Sequence, residues 1–219
     1  MALTSGPNAF GGDVGEQRFS ALFDQHKRNL AYVGVAILVI GAGAWFYVRS
    51  NALKEQHAEL AYETALQSVS SGNLPLAQSD LKKVTVRYSG TNGAAQSAMA
   101  LAKLYYEQGK YQAGIDALKE PASHDGDLEY GAKLLLAAGY QGLGNAQQAA
   151  TVYEAAAGLA RFDADRAGAM AMAARAYQQA NNKAAAVKIW NDLLKDTKSG
   201  FDAEAQIRLG ELQAQTTKV

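Results

Sequence analysis

Residues Ala100 to Glu120 read ALAKLYYEQGKYQAGIDALKE, and this stretch decides the fold. Gly109 separates two helical stretches at a place suited to a left-handed C-cap, because glycine meets no Cβ penalty there. The same punctuation recurs outward from it, at Gly72, Gly109, Gly144 and Asn181, with spacings of 37, 35 and 37 residues. Seven residues before each breaker stand Ala65, Ala102, Ala137 and Ala174, and five after it Ala77, Gly114, Ala149 and Ala186. Nine after it stand the bulky Leu81, Leu118, Tyr153 and Trp190, and four before it Ser68, Tyr105, Tyr140 and Tyr177. A small residue on each of two consecutive helices lets their axes approach, and large residues one turn on fill the gap between neighbouring hairpins. No single hairpin buries its own apolar face, so the hairpins must stack into a continuous core. The pattern predicts helices over 51–71, 74–88, 93–108, 111–120, 127–143, 146–160, 163–180, 183–196 and 202–215. Asp127, Asp163 and Asp202 stand where N-terminal caps are expected. The ninth helix has no partner after it and is expected to close the open end.

Upstream of the repeats lies the one long apolar run, Leu30 to Val48, 19 residues without a charge or a proline. At 1.5 Å per residue it reaches about 28 Å, close to the roughly 30 Å hydrocarbon core of a bilayer. Lys27 and Arg28 precede it, while Trp45, Phe46, Tyr47 and Arg49 close it in the manner of a headgroup boundary. A core helix seldom runs so far without a polar break. Ala42-Gly-Ala44 resembles a signal-peptide cleavage site, but the run continues through Val48 and its leader is long, which favours a retained anchor. Arg18, Lys27 and Arg28 before the span against Arg49 and Lys54 after it give a slim positive-inside bias. The expected organisation is a short cytosolic tail over 1–28, a transmembrane anchor over 29–49, and an extracytoplasmic repeat domain over 50–219. In a bacterium that is a single-pass protein of the inner membrane, N-terminus in the cytoplasm and repeats in the periplasm.

Composition narrows the function. The chain has 21 Lys plus Arg against 21 Asp plus Glu, a formal net charge of zero, which leaves no basic footprint for nucleic acid. Cysteine is absent, which removes disulfides, thiolate metal sites and cysteine nucleophiles. His26, His57 and His124 show no zinc-ligand spacing, and no hydrolase elbow, phosphate loop or dinucleotide fingerprint occurs. His57 between Glu55 and Glu59 reads as a solvated helix face. Asp125, Asp127 and Glu129 in HDGDLEYG lack the full calcium loop and read as a turn followed by a helix cap. No catalytic residue, no metal site and no cofactor are expected.

Ala100–Glu120 resembles a tetratricopeptide repeat, and so do LLLAAGYQGLGNAQQAATVYEAAA, Leu134–Ala157, and AARAYQQANNKAAAVKIWNDLL, Ala173–Leu194. The first hairpin is the loosest, with Ser68 where the others carry Tyr. The fold this implies is all-α: a single transmembrane helix followed by a tetratricopeptide-like α-solenoid of about four hairpins plus a capping helix. A short tail, one span and such a domain together resemble the YfgM-like family, much of the likeness lying in Leu60–Gly72 and Gly93–Leu118. Members of that family are ancillary subunits of the SecYEG translocon. The resemblance therefore implies a non-catalytic scaffold touching the translocon and extracytoplasmic chaperones. The rival expectation is a structural or assembly subunit of another membrane complex, respiratory or photosynthetic. Such arrays bind a peptide or partner helix along the face lined by the first helix of each hairpin. The candidate groove residues are Tyr62, Leu66, Met99, Lys103, Tyr106, Leu134, Gln141, Arg175 and Gln178, with Tyr62, Tyr106 and Arg175 as preferred anchors, since aromatic and Arg side chains dominate hot spots. Packing between neighbouring helices is the plainer reading for Tyr105, Tyr140 and Tyr177, and an equal one for Tyr62 and Tyr106.

Overall fold

The computed structural model describes residues 13–123, 126–196 and 198–216. Among them nine helices occur and no strand: α1 (Asp13–Ser70), α2 (Leu74–Arg87), α3 (Asn92–Glu107), α4 (Tyr111–Leu118), α5 (Glu129–Gly142), α6 (Ala146–Leu159), α7 (Asp163–Gln179), α8 (Lys183–Lys195) and α9 (Asp202–Thr216). The chain divides into two compact units, Met1–Ala52 and Leu53–Val219.

In the first unit the large apolar side chains from Tyr32 to Val48 are exposed, Leu38 to 73% and Trp45 to 69%. This stretch lies in the one helix among the described residues that is long and apolar enough to cross a membrane, with a mean hydropathy of 1.6 over its best window. Gly34, Gly41 and Gly43 have open space around them and do not interrupt it. The expected tail is helical from Asp13, and its first twelve residues lie outside the described ones.

The second unit is a stack in which each helix packs against the next along the chain, from α2 through α9, with α3 also touching α5. The recurring small residues make that seam. Ala65, Ala102, Ala137 and Ala174 are buried, as are Ala77, Gly114, Ala149 and Ala186 on the helices that follow. So are Leu81, Leu118, Tyr153 and Trp190, which fill the space between hairpins. The breakers Gly72, Gly109, Gly144 and Asn181 all have positive φ, at 72°, 70°, 78° and 57°. Each turn closes by the same pair of bonds. At the second, the Gly109 N–H donates to the Tyr106 carbonyl at 2.9 Å and the Lys110 N–H to the Tyr105 carbonyl at 2.8 Å. At the fourth, the Asn181 and Asn182 N–H groups reach the Gln178 and Tyr177 carbonyls at 3.0 and 2.8 Å. This is the two-bond helix ending that a left-handed residue permits.

A polar pairing repeats alongside the apolar one. Tyr153 donates its hydroxyl to the Gln141 amide oxygen at 2.8 Å, and the Trp190 indole N–H donates to that of Gln178 at 3.2 Å. Where the bulky residue has no polar tip, at Leu81 and Leu118, the place of the glutamine is taken by Val69 and Tyr106. A buried Tyr or Trp needs a partner for its polar atom, and the glutamine three residues before the breaker supplies it.

α7 buries alanines around its circumference, Ala167, Ala169, Ala171, Ala173, Ala174 and Ala176, because it sits in the largest core cluster amid residues of α5, α6, α8 and α9. α9 closes the array by burying Ala205, Leu209 and Leu212, spaced one turn apart, and leaves Ile207 exposed. The expected aspartate caps are not formed. Asp163 and Asp202 lie one place inside their helices, and Asp127 precedes the actual cap, Leu128, so that α5 starts at Glu129. Asp163 is taken by Arg166 one turn on, and Asp127 faces Arg161 at 3.5 Å. Caps do form at Thr91 on α3, and at Asn73 and Asn182 on α2 and α8.

Candidate partner-binding groove

Four of the candidate residues meet in one place. A groove of about 390 Å³ is lined by Tyr62, Leu66 and Val69 from α1 and by Gln96, Met99, Lys103 and Glu107 among others from α3, with Leu128 at one end. On each helix these positions recur by three or four residues, so each presents one continuous stripe. The floor is apolar: Tyr62 and Val69 pack on the cluster of Ala65, Leu81 and Leu101, and Met99 packs on that of Ala102, Leu118 and Ala132. Gly131 leaves room for the Met99 methyl, since a Cβ there would stand 3.1 Å from it. The rim is polar, with Lys103 exposed and the Gln96 amide donating to Glu59 at 3.3 Å. Burial, with Glu59 beside it, raises the Tyr62 hydroxyl above its ordinary pKa. An apolar trough with Lys103 and Glu107 on its rim suits a peptide segment with apolar side chains on one face.

The remaining candidates stand elsewhere and are engaged within the chain. Tyr106 fills the slot left by two glycines: a Cβ on Gly114 or Gly139 would come within 2.3 Å of its ring or hydroxyl. It donates to the Leu135 carbonyl at 3.1 Å, and its ring lies 5.7 Å from that of Tyr111. Burial pushes its hydroxyl well above the usual tyrosine range. Leu134 packs on the α5–α9 core. Gln141 holds Tyr153 and also donates to Gln179 at 2.9 Å, and Gln178 holds Trp190. Arg175 grips Glu204 of α9 with two hydrogen bonds, Nε to Oε1 at 2.8 Å and Nη2 to Oε2 at 2.5 Å.

That last pair ties the closing helix to α7 and has a pH signature. The Arg175 hydrogen bond, outweighing partial burial and joined by Arg208, holds the Glu204 carboxyl below the usual range. A depressed carboxylate stabilises the fold above its unfolded pKa, and this contribution is lost as pH falls through the folded one. Hydrogen exchange of α9 amides is therefore expected to accelerate as pH drops below about 4.5 relative to α3 amides, the unfolded carboxyl titrating near there. Arg175→Ala is expected to shrink that difference, Arg208 still facing Glu204, and to cost about 1 kcal/mol, the range of a half-exposed bidentate pair. Equal pH response of the two helices in both proteins would show that the pair does not hold α9.

Sequence reasoning missed Glu55. Far from idling on a solvated face, its carboxylate accepts the Asn92 N–H at 2.9 Å and the Gly93 N–H at 3.3 Å, capping α3 from α1. No repeating signal marks it, because the contact occurs once. His57 is exposed, whereas His124 and Asp125 lie outside the described residues. Among the described residues no group of three or more His, Asp or Glu stands close enough to hold a metal ion.

Stacked helical hairpins with a groove along their first helices define the class of helical-repeat interaction scaffolds. The model of the tetratricopeptide repeat-like domain family matches residues 21–152, more than half of the chain, and the chain belongs to that family. The match takes in the apolar stretch, and the hairpin geometry continues beyond it through α8. Among solved structures, the nearly identical TPR-like repeats of a Podosopora anserina protein superpose with a TM-score of 0.53 at 18% identity, over 75% of this chain and 97% of that one. A single-substitution variant of the same repeats gives 0.52 at 19% identity, over 75% and 98%. Likeness at that identity speaks for the fold alone. No curated protein matches the chain.

Proposed function

We propose that the chain is a membrane-anchored, non-catalytic scaffold whose α1–α3 groove holds a segment of a protein partner, accessory to the protein translocon and linking it to extracytoplasmic chaperones. The observation that carries the reading is the gathering of Tyr62, Leu66, Met99 and Lys103 around one groove on the first helices of successive hairpins. Support for the anchor comes from the exposed apolar side chains of Tyr32–Val48, which water would penalise and lipid would not. On this reading 1–28 is cytoplasmic, 29–49 lies in the inner membrane and 50–219 faces the periplasm. Tethering raises the local concentration of the groove near a membrane partner, so modest affinity suffices.

The test is a photo-crosslinking residue in place of Leu66, used in native membranes, with the captured neighbours identified. Translocon subunits or extracytoplasmic chaperones are expected, and Lys103→Glu is expected to lower the yield about fivefold, or about 1 kcal/mol, through the rim charge alone. Lys103 is exposed, so its replacement should leave the melting temperature unchanged. Capture of respiratory or photosynthetic subunits alone would remove the translocon from the account. The N-terminal sequence of the mature chain checks the anchor, since a start near residue 45 would make the apolar stretch a cleaved signal.

A further inference from the structure

A second surface differs from the groove in both place and chemistry. A pocket of about 460 Å³ opens between α6, α7 and α8. Its floor is Ala157, Ala167, Met170, Ile189 and Leu193, and its rim carries four carboxylates, Glu154, Asp163, Asp192 and Asp196, against one guanidinium, Arg166. Arg166 is spent on Asp163. Lys195 reaches only 3.9 Å from Asp192, and both side chains are more than half exposed, so that contact is screened and weak. The Tyr177 hydroxyl donates to Glu154 at 2.5 Å and the Lys198 N–H to Asp196 at 3.1 Å, neither of which neutralises charge. α8 ends at this pocket, and the partial negative charge of its last carbonyls adds to the field.

We infer that this pocket docks a cationic amphipathic segment of a partner protein. One apolar side chain of that segment rests on Met170, Ile189 and Leu193, and its Lys or Arg residues face Glu154, Asp192 and Asp196. The charge complementarity selects the occupant: an acidic segment would be repelled, and a purely apolar one would leave the carboxylates unmatched. None of these residues lines the α1–α3 groove, so this surface stands or falls apart from that one.

The test uses the full chain in nanodiscs of zwitterionic lipid and a fluorescent fifteen-residue helical peptide of Leu, Ala and Lys (length set by roughly four helical turns). A second peptide has every Lys replaced by Glu. The Lys peptide is expected to bind at least about tenfold more tightly than its Glu counterpart. Combining Glu154→Gln, Asp192→Asn and Asp196→Asn is expected to weaken it about tenfold with an unchanged melting temperature, since the amides retain the acceptor oxygens. Asp192→Asn alone, at an exposed position, is expected to weaken it about twofold. Neutralising Glu63 and Asp116 instead, which line neither surface, is expected to leave binding as it was. Equal weakening by the distant neutralisations, equal binding of the two peptides, or no binding would overturn the inference. So would a dimer of the chain that the three pocket substitutions dissociate, because a second copy would then be the occupant.

Discussion

Replacing Gly93 by alanine is expected to destabilise the repeat domain, against the ordinary preference of a helix. In an exposed helix the change would gain up to about 1 kcal/mol. Here a Cβ would stand 2.6 Å from the Ala58 carbonyl carbon and 2.8 Å from both the Ala58 oxygen and the Glu59 nitrogen. All three atoms are backbone, so relief requires α1 and α3 to move apart. Overpacking of this kind costs about 1–3 kcal/mol, which exceeds the propensity gain. Moving α3 also lengthens the bonds by which Glu55 holds the Asn92 and Gly93 N–H groups. Urea unfolding of the detergent-solubilised chain should show a lower midpoint for Gly93→Ala and a still lower one for Gly93→Val. A midpoint raised by alanine would mean that the two backbones do not approach as described.

Trp190→Ala is expected to have the larger effect, about 3–5 kcal/mol, the range for emptying a buried aromatic site. Trp190 is fully buried and sits in the cluster that joins α7, α8 and α9 to α5 and α6. In an array where each element touches only its neighbours, such a loss is local before it is global. Amides of α7, α8 and α9 should lose most of their protection from hydrogen exchange while those of α3 keep theirs. Trp190→Phe should cost about 1–2 kcal/mol, combining a smaller ring with the lost bond to Gln178. Uniform loss of protection from α2 to α9 would instead describe one cooperative block.

What was legible in the sequence is what the fold repeats. Ala137 and Ala149, like Ala174 and Ala186, share one core because every hairpin needs small residues there, and four copies of the constraint make it visible. The left-handed residue at each turn was legible for the same reason, since few side chains tolerate it. Contacts made once left no such trace. Glu55 capping α3, Arg175 gripping Glu204, and Tyr106 filling a slot cut by Gly114 and Gly139 all depend on which faces meet. That also explains why the candidate residues separated into a groove set and a packing set. Tyr62 and Tyr106 are alike in type and in helical setting, but only Tyr106 has two glycines from other helices opposite it. The aspartate caps failed because composition marks a helix start to within a residue or two, whereas capping needs a particular backbone at a particular place.

The four identical turns carry a consequence for how such a molecule grows. A block running from Lys110 to Gly144 begins and ends at the same stereochemical joint. Copied in tandem, it would offer its neighbours the joint they already accept. Lineages can thus lengthen or shorten the stack by whole modules through recombination.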